Sequence, residues 1–573
     1  MKKYFSLLFL LSSLNVQSQN EIIDNIVDEV TNNSQLEQLA HELLDVIGPR
    51  LVGTPQMKNA HDWAVNKYNS WGIPARNHQW GEWRGWERIS THIDMLEPRQ
   101  RSLTGMQLAW NPSTSKSGIE GEIAIMPEFE DKNSFNSWLE TIKGKIVLTS
   151  MPQPTGRPDY NWEKHATPES FEKMKAQRDE MSKKWRKNLQ NAGFNWRLNN
   201  SIFEEAGAAG LVSSNWAKGF GANRIFSAGT KKIPHIDLEL EDYGMLYRMA
   251  QHGNNPKIKI VAISKEHGIV PTFNTIAQIK GVEKPDEYVI LSAHFDSWDG
   301  GTGATDNGTG TLVMMEAMRV LKAIYPNPKR TILVGHWGSE EQGLNGSLAF
   351  VEDFPKIVEH TQAVFNQDNG TGRVVNISGQ GFLHSYDYIS KWLRPVPKEI
   401  SKHIKTNFPG SLGGGGSDYV SFLTAGVPAF NLTSLLWSYR DYTWHTNIDT
   451  YDKIVFDDVR SNVILTAILT YMASEDDEKA SREKAVLPIN PRTGKQMKWP
   501  TKRYPKRKGE IGRESRPSEG SQRGRRGPPR GKEEKTNKNE KEINKDLVEN
   551  EISSHLVPGV GLEPTRTLRS TGF

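Results

Sequence analysis

The sequence predicts an α/β protein built on a mostly parallel mixed sheet with helices on both faces, with an inserted β-rich domain and a disordered C-terminal tail. Three observations predict it. Between residues 266 and 475, apolar runs of strand length alternate with helical patterns, as in a largely parallel sheet. Between 97 and 265 the pattern changes to short strand-like runs between turn residues: "GEIAIM", "GKIVLTS", "GAAGLVSS" and "KIKIVAIS". Past 475 large apolar residues become rare and basic residues dominate.

In chain order, two lysines precede an apolar stretch from Tyr4 to Val16, followed by small and polar residues. That layout predicts a signal peptide over 1–18 and export to a periplasmic, secreted or extracellular location. No other run approaches the ~20 apolar residues that a membrane span requires, so no transmembrane segment is expected in the mature chain. Residues 19–96 form the N-terminal part of the main domain. They lean to helix, with apolar residues at helical spacing on both sides of the Gly48-Pro49 break. Residues 97–265 are the insertion, and the charged stretch from Phe171 to Lys187 within them reads as a helix.

Residues 266–475 are the second part of the main domain. "YVILSAH" is a strand, and "TLVMMEAMRVLKAI" is a helix with Val313, Ala317, Val320, Leu321 and Ile324 on one face. "RTILVGHWGSEE" and "QAVFNQD" are strands that end in acids, and "GVPAFNLTS" is a fourth strand. Residues 476–573 are the tail. Its stretch from Pro491 to Arg530 holds 14 Lys and Arg against 3 Glu, a charge of +11. The whole chain carries +4, so the remainder carries −7. The basic segment is either an electrostatic arm for acidic polymers or lipid, or a solvated tail; no specific nucleic-acid partner is expected.

The chain has no cysteine. It forms no disulfides, and any metal must be held by His, Asp and Glu. In open α/β sheets, ligands bind beyond the carboxyl ends of the strands. Those ends supply His294 and Asp296, Asp306 in the following glycine-rich loop, Glu340 and Glu341, Asp368 and, much later, His445 in "YTWHTNIDT". Carboxylates gathered away from bulk water repel one another and lose hydration, and cations relieve both costs. Two histidines with four carboxylates suit zinc, and the count fits two metals ~3.5–4 Å apart with one carboxylate bridging and one acid left as a base. Asp296, two residues beyond His294 on the same side of the strand, is placed to accept the imidazole's other N–H.

"HFDSWDGGTGATDNGTG", "GSEEQG", "QDNGTG" and "WHTNIDT" resemble the metal motifs of the co-catalytic di-zinc exopeptidases, and most closely those of the carboxypeptidase Q group. "IGPRLVGTPQ" and "FNTIAQIKG" are similar to that group's N-terminal segment and its entry into the catalytic domain, and the likeness spans residues 40–475. The resemblance implies the zinc exopeptidase fold, a protease-associated domain over 97–265, small peptide substrates and a homodimer. It implies that His294 and Asp368 hold one zinc, that Glu341 and His445 hold the other, and that Asp306 bridges them. Glu340 is then the general base and Asp296 orients His294. Asn307 stands where such enzymes often have a second Asp. The alternatives are a single-zinc hydrolase or glutaminyl cyclase on the same sheet, and a receptor-like module without activity. Asp449 reads equally as a partner for His445 or as a helix N-cap. Asp418 and the aromatics Trp437, Tyr439, Tyr442 and Trp444 are candidates to shape the substrate pocket. His235, His336 and His403 read as structural.

Overall fold

The structure, a computed structural model, describes residues 19–195, 198–368, 370–412, 416–489 and 493–509. The expected signal peptide and the tail from 510 onward lie outside the described residues. Among the described residues no helix is long and apolar enough to cross a membrane.

The strands in chain order are β1 Ala75–Glu97, β2 Arg101–Ser102, β3 Gly105–Gln107, β4 Ile119–Ile125, β5 Ile146–Leu148, β6 Gly210–Ser213, β7 His235–Leu238, β8 Lys257–Ile279, β9 Lys284–His294, β10 Arg330–Trp337, β11 Thr361–Asn366, β12 Val374–Ser378, β13 Lys405–Asn407 and β14 Ala429–Ser434. They join in the order β13-β12-β14-β11-β9-β10-β8-β4-β5-β6-β7-β3, with β1 beside β8 and β2 beside β1. The centre, β14-β11-β9-β10, is parallel, and β8 closes it antiparallel. The four expected strands of the main domain are therefore β9, β10, β11 and β14.

Alternation along the strands explains the layers. Val289, Leu291 and Ala293 of β9 join Val334 and Phe365 in one core, while Ile290 joins Leu333 and Val364 in the other. A sheet buried on both faces needs near-continuous apolar strands, which these are. Helices Thr309–Ile324 and Phe456–Glu475 cover the first face, and Asn345–Asp353 and Tyr419–Thr424 cover the second. Helix Thr309–Ile324 is buried from Thr309 through Leu321 rather than on one face. Helix Phe456–Glu475 and the segment around Leu36 cover its outer side, and Glu316 is buried there in an ion pair with Arg319.

The helix-leaning reading of 19–96 holds to Ser70 and fails beyond it, because Ala75–Glu97 is a 23-residue strand paired with β8 along its length. The register shifts four times, between Gln79 and Gly81, Gly85 and Trp86, Arg88 and Ser90, and Met95 and Glu97. Each bulge moves the following side chains to the other face. Trp80, Trp83 and Trp86 consequently recur at a spacing of three and imitate a helix. The β1–β8 ribbon carries the chain out to the insertion and back. One half of β8 pairs with β10, and the other half pairs with β4. In the insertion, β4, β5, β6 and β7 run parallel between helices, and the expected helix spans Pro168–Asn191.

The tail departs from expectation as far as it is described. Residues 476–489 and 493–509 lie along the main domain instead of being disordered. Trp499 packs on Phe382 and donates to the Ala485 carbonyl. Arg507 binds the Trp80 carbonyl, Glu352 and Asp353. Glu82 of β1 exchanges two backbone bonds with Arg507 and Gly509, so the strap covers this edge strand. Composition pointed to disorder because only isolated anchors punctuate a polar segment. Trp499→Ala should cost roughly 3 kcal/mol in urea unfolding, and an unchanged midpoint would show that the strap is loose.

His61, on helix Pro55–Ser70, and His336, on β10, are fully buried. His61 Nδ1 meets Thr275 Oγ1 at 2.8 Å, and His336 Nε2 meets the Tyr68 hydroxyl at 2.7 Å. Burial pushes both imidazoles down to about 3. The unfolded chain therefore binds more protons below about pH 6.5, and stability is lost as pH falls from there toward 3. His336→Gln should lower the slope of unfolding free energy against pH by about one proton between pH 4 and 6. An unchanged slope would mean that His336 is charged inside the fold.

Candidate metal centre

The central strands end on one rim. His294 is the last residue of β9, and Asp306 lies in the turn Ala304–Gly308 that enters helix Thr309–Ile324. Glu340 and Glu341 follow β10, Asp368 follows β11, and His445 lies in the loop before Phe456. The structure brings His294, Asp306 and Asp368 into one cluster, and Asp306, Glu341 and His445 into a second. Asp306 belongs to both. Its Oδ1 lies 3.4 Å from His294 Nε2, and its Oδ2 lies 3.2 Å from His445 Nε2. Asp368 Oδ1 is 3.3 Å from His294 Nε2, and Glu341 Oε2 is 2.9 Å from His445 Nε2.

Three of these four separations match the roughly 3.3 Å between neighbouring donors of a tetrahedral zinc site with ~2.0–2.1 Å bonds. His294 Nε2, Asp306 Oδ2 and Glu341 Oε1 are buried without a hydrogen-bond partner. Buried polar atoms are ordinarily paired, and a cation between them supplies the missing partner. The donor set therefore fits zinc.

Electrostatics point the same way. Burial lifts Glu340 well above the usual carboxylate range, with Asp368, Asp418 and Glu341 adding to the lift and His294 opposing it. Burial raises Glu341 to about 7 against the pull of His445. Desolvation works against charge on both histidines, yet the carboxylates around them hold His445 at about 10 and His294 well above its ordinary value. Burial also opposes ionisation of Asp306, but the two imidazoles keep it well below the usual range.

Asp296 departs from its expected contact. The His294 Nδ1–H donates to the Asp296 backbone carbonyl at 2.9 Å, and the nearer carboxylate oxygen lies 3.8 Å away. The Asp296 side chain instead accepts the backbone N–H groups of Glu340 (3.0 Å) and Glu341 (3.2 Å). It ties the end of β9 to the glutamate turn. Asp449 likewise accepts the N–H groups of Thr305 (2.8 Å) and Asp306 (3.1 Å), so it is neither an N-cap nor a bond to His445. Asn307 donates to the Gln367 carbonyl and accepts from Gly310 N. Asp418 is buried with both carboxylate oxygens unpartnered, in the field of Glu340, Asp368 and Asp296.

Of the four aromatics, Trp444 stacks on His445 with ring centres 4.0 Å apart, and Tyr439 packs against Gly370 close to the carboxylates. Tyr442 meets Tyr160 of the insertion at 2.9 Å, hydroxyl to hydroxyl. Trp437 turns away and donates to Asp458. His235 and His336 are buried, as expected of structural residues. Asp306, Glu341, His445 and Trp298 line a narrow gap at the rim. A larger apolar cleft, formed by Met57, Pro271 and Phe273, shares none of the cluster residues.

Arg50 was not singled out from the sequence. It is fully buried, and its guanidinium donates to the carbonyls of Gly48, Phe295, Thr302 and Gly303. It thus pins the loop that runs from His294 to Asp306. Its partners are backbone atoms, and the one signal for it in the sequence is its place within "IGPRLVGTPQ". Arg50→Met would strip four buried carbonyls of their donor and should destabilise the fold by about 3 kcal/mol or more. A variant with native stability in chemical unfolding would remove Arg50 from this role.

Residues 274–468 match peptidase family M28. Mouse (Mus musculus) carboxypeptidase Q is 27% identical over 453 residues, which cover 77% of this chain and 86% of that protein. A peptidase M28 precursor from Shewanella amazonensis SB2B has the same fold, with a TM-score of 0.61 at 22% identity over 83% of this chain and 100% of that one. A zinc aminopeptidase from Bacillus subtilis aligns with a TM-score of 0.50 at 20% identity over 78% of this chain and 97% of its own.

Proposed function

We propose that this chain, a metallopeptidase related to carboxypeptidase Q, is an exported di-zinc exopeptidase that hydrolyses short peptides or dipeptides. The observation that carries the reading is the position of Asp306, with one carboxylate oxygen toward His294 and the other toward His445. On this reading His294 and Asp368 would hold one zinc, Glu341 and His445 would hold the second, and Asp306 would serve both. Export rests on the layout of residues 1–18. The insertion is assigned as a protease-associated domain, on its likeness to that of the carboxypeptidase Q group.

Zinc bound there supplies a Lewis acid for the scissile carbonyl and lowers the pKa of water from ~15.7 towards ~7. Glu340 acts as the general base and acid: it takes the proton from the attacking water and passes it to the leaving amine. Burial raises its proton affinity, which suits a carboxyl that must hold a proton between the two steps. Asp296 fixes the glutamate turn through two N–H groups, and its own carbonyl sets the His294 ring with Nε2 toward the cluster.

Glu340→Gln should retain two zinc ions per chain by elemental analysis and lose roughly 10²–10⁴-fold in kcat on an unblocked peptide. Near-native turnover with zinc retained would remove Glu340 as the base. One zinc per chain in the parent protein would favour the single-zinc hydrolase or cyclase.

A further inference from the structure

The two histidines of the cluster are held in different ways. The His294 Nδ1–H donates to the Asp296 carbonyl, which sets the ring. His445 Nδ1 is buried and, among the described residues, has no hydrogen-bond partner. A metal-ligating imidazole ordinarily donates its other N–H to an acceptor that fixes the ring. At His445 that task falls to ring packing and to the backbone. Trp444 stacks on the imidazole with ring centres 4.0 Å apart, Phe226 meets it edge-on at 5.4 Å, and Trp298 lies at 6.1 Å. The backbone is itself constrained: His445 has a φ of 61°, in the left-handed region that a β-carbon disfavours.

The insertion supplies that constraint. Ile225 N donates to the His445 carbonyl at 2.9 Å, and Asn447 N donates to the Asn223 carbonyl at 3.0 Å. Asn223 N donates to Asn447 Oδ1 at 2.8 Å, and Asn447 Nδ2 donates to the Gly221 carbonyl at 3.0 Å. Asn447 is thus the centre of a clasp, its one side chain bound to two backbone groups of the insertion. The far side of the clasp is anchored in turn. Asn223 is buried and donates through Nδ2 to Asp237 and to the Leu238 carbonyl, and Asp237 also accepts from Asn215. Gly300 gives the clasp room, because a β-carbon there would fall 2.6 Å from Ile225 Cγ1. Phe226, which packs on the imidazole, follows Ile225 directly, so one short segment holds both the backbone and the ring of His445.

We infer that Asn447 and Phe226 are positioning residues that hold His445 for its metal, so that the insertion sets the affinity of the His445 half of the centre; this rests on the two-zinc reading. The His294 half is fixed from within the catalytic sheet and keeps its metal when the clasp is cut. Without the clasp, His445 is free to relax out of the left-handed conformation and to turn Nε2 away from Asp306 and Glu341.

The test is a chelator competition on zinc-loaded full-length protein, with zinc per chain read by elemental analysis and each fold checked by urea unfolding. The parent should hold two ions. Asn447→Ala and Phe226→Ala should each bind one ion roughly 10–100-fold more weakly and the other as the parent does. Asn447→Asp keeps the acceptor for Asn223 N and should recover part of the loss. His445→Ala should hold one ion, and adding Asn447→Ala to it should leave the affinity for that ion unchanged, which a general loosening of the fold would not. Parent affinity for both ions in either folded alanine variant, or equal weakening of both ions, would overturn the inference. If Asn447→Ala does not fold, Phe226→Ala and Asn447→Asp decide the matter by the same criteria. A parent that holds a single ion would end the two-zinc reading and this inference with it, whereas a two-ion parent with indifferent variants would end the inference alone.

Discussion

Four carboxylates and two imidazoles are held at the carboxyl rim of a sheet where water is scarce, and this arrangement governs what surrounds it. Left to themselves, Asp306, Glu340, Glu341 and Asp368 repel one another and lose hydration. The fold answers with fixed partners behind the cluster. Arg50 holds the loop between His294 and Asp306, Asp449 holds the turn at Asp306, and Asp296 holds the glutamate turn. Each of these bonds is made to backbone, which leaves the cluster's own lone pairs facing inward. Positive charge placed among them would offset both costs.

The second constraint is the route by which the insertion reaches the site. Its chain leaves along β1 and returns along β8, and the ribbon is bulged four times, so it twists as it leaves the main sheet. The insertion then folds back. Residues 223–225 are bonded to residues 445–447, and Tyr160 meets Tyr442. Helix Pro168–Asn191 braces this contact from behind, because its Arg178 holds the Asp159–His165 helix that carries Tyr160. A segment remote in sequence therefore fixes the loop that carries His445.

The convergence of the candidate residues is legible in the sequence because strand ends meet by topology. His294, Asp306, Glu340, Glu341, Asp368 and His445 each follow or adjoin a recognisable strand or a glycine-rich turn, so the rim could be assembled without coordinates. What stayed hidden depended on local torsions and on backbone partners. Asp296 was read correctly as a neighbour of His294, but whether its carbonyl or its carboxylate faces the ring is a matter of one turn of the chain. Arg50 binds only carbonyls, so its role does not show in the sequence even though "IGPRLVGTPQ" contains it. The tryptophans of β1 recur in threes because bulges reset the pleat, and that spacing reads as a helix. The described part of the tail is secured by a few anchors, Trp499 and Arg507 among them, and average composition does not register single anchors.

The most direct test is anomalous diffraction at the zinc edge from crystals of the zinc-replete chain. The account predicts two peaks flanking the Asp306 carboxylate, ~3.5–4 Å apart, one beside His294 and Asp368 and the other beside His445 and Glu341. A single peak, or zinc bound away from Asp306, would contradict it.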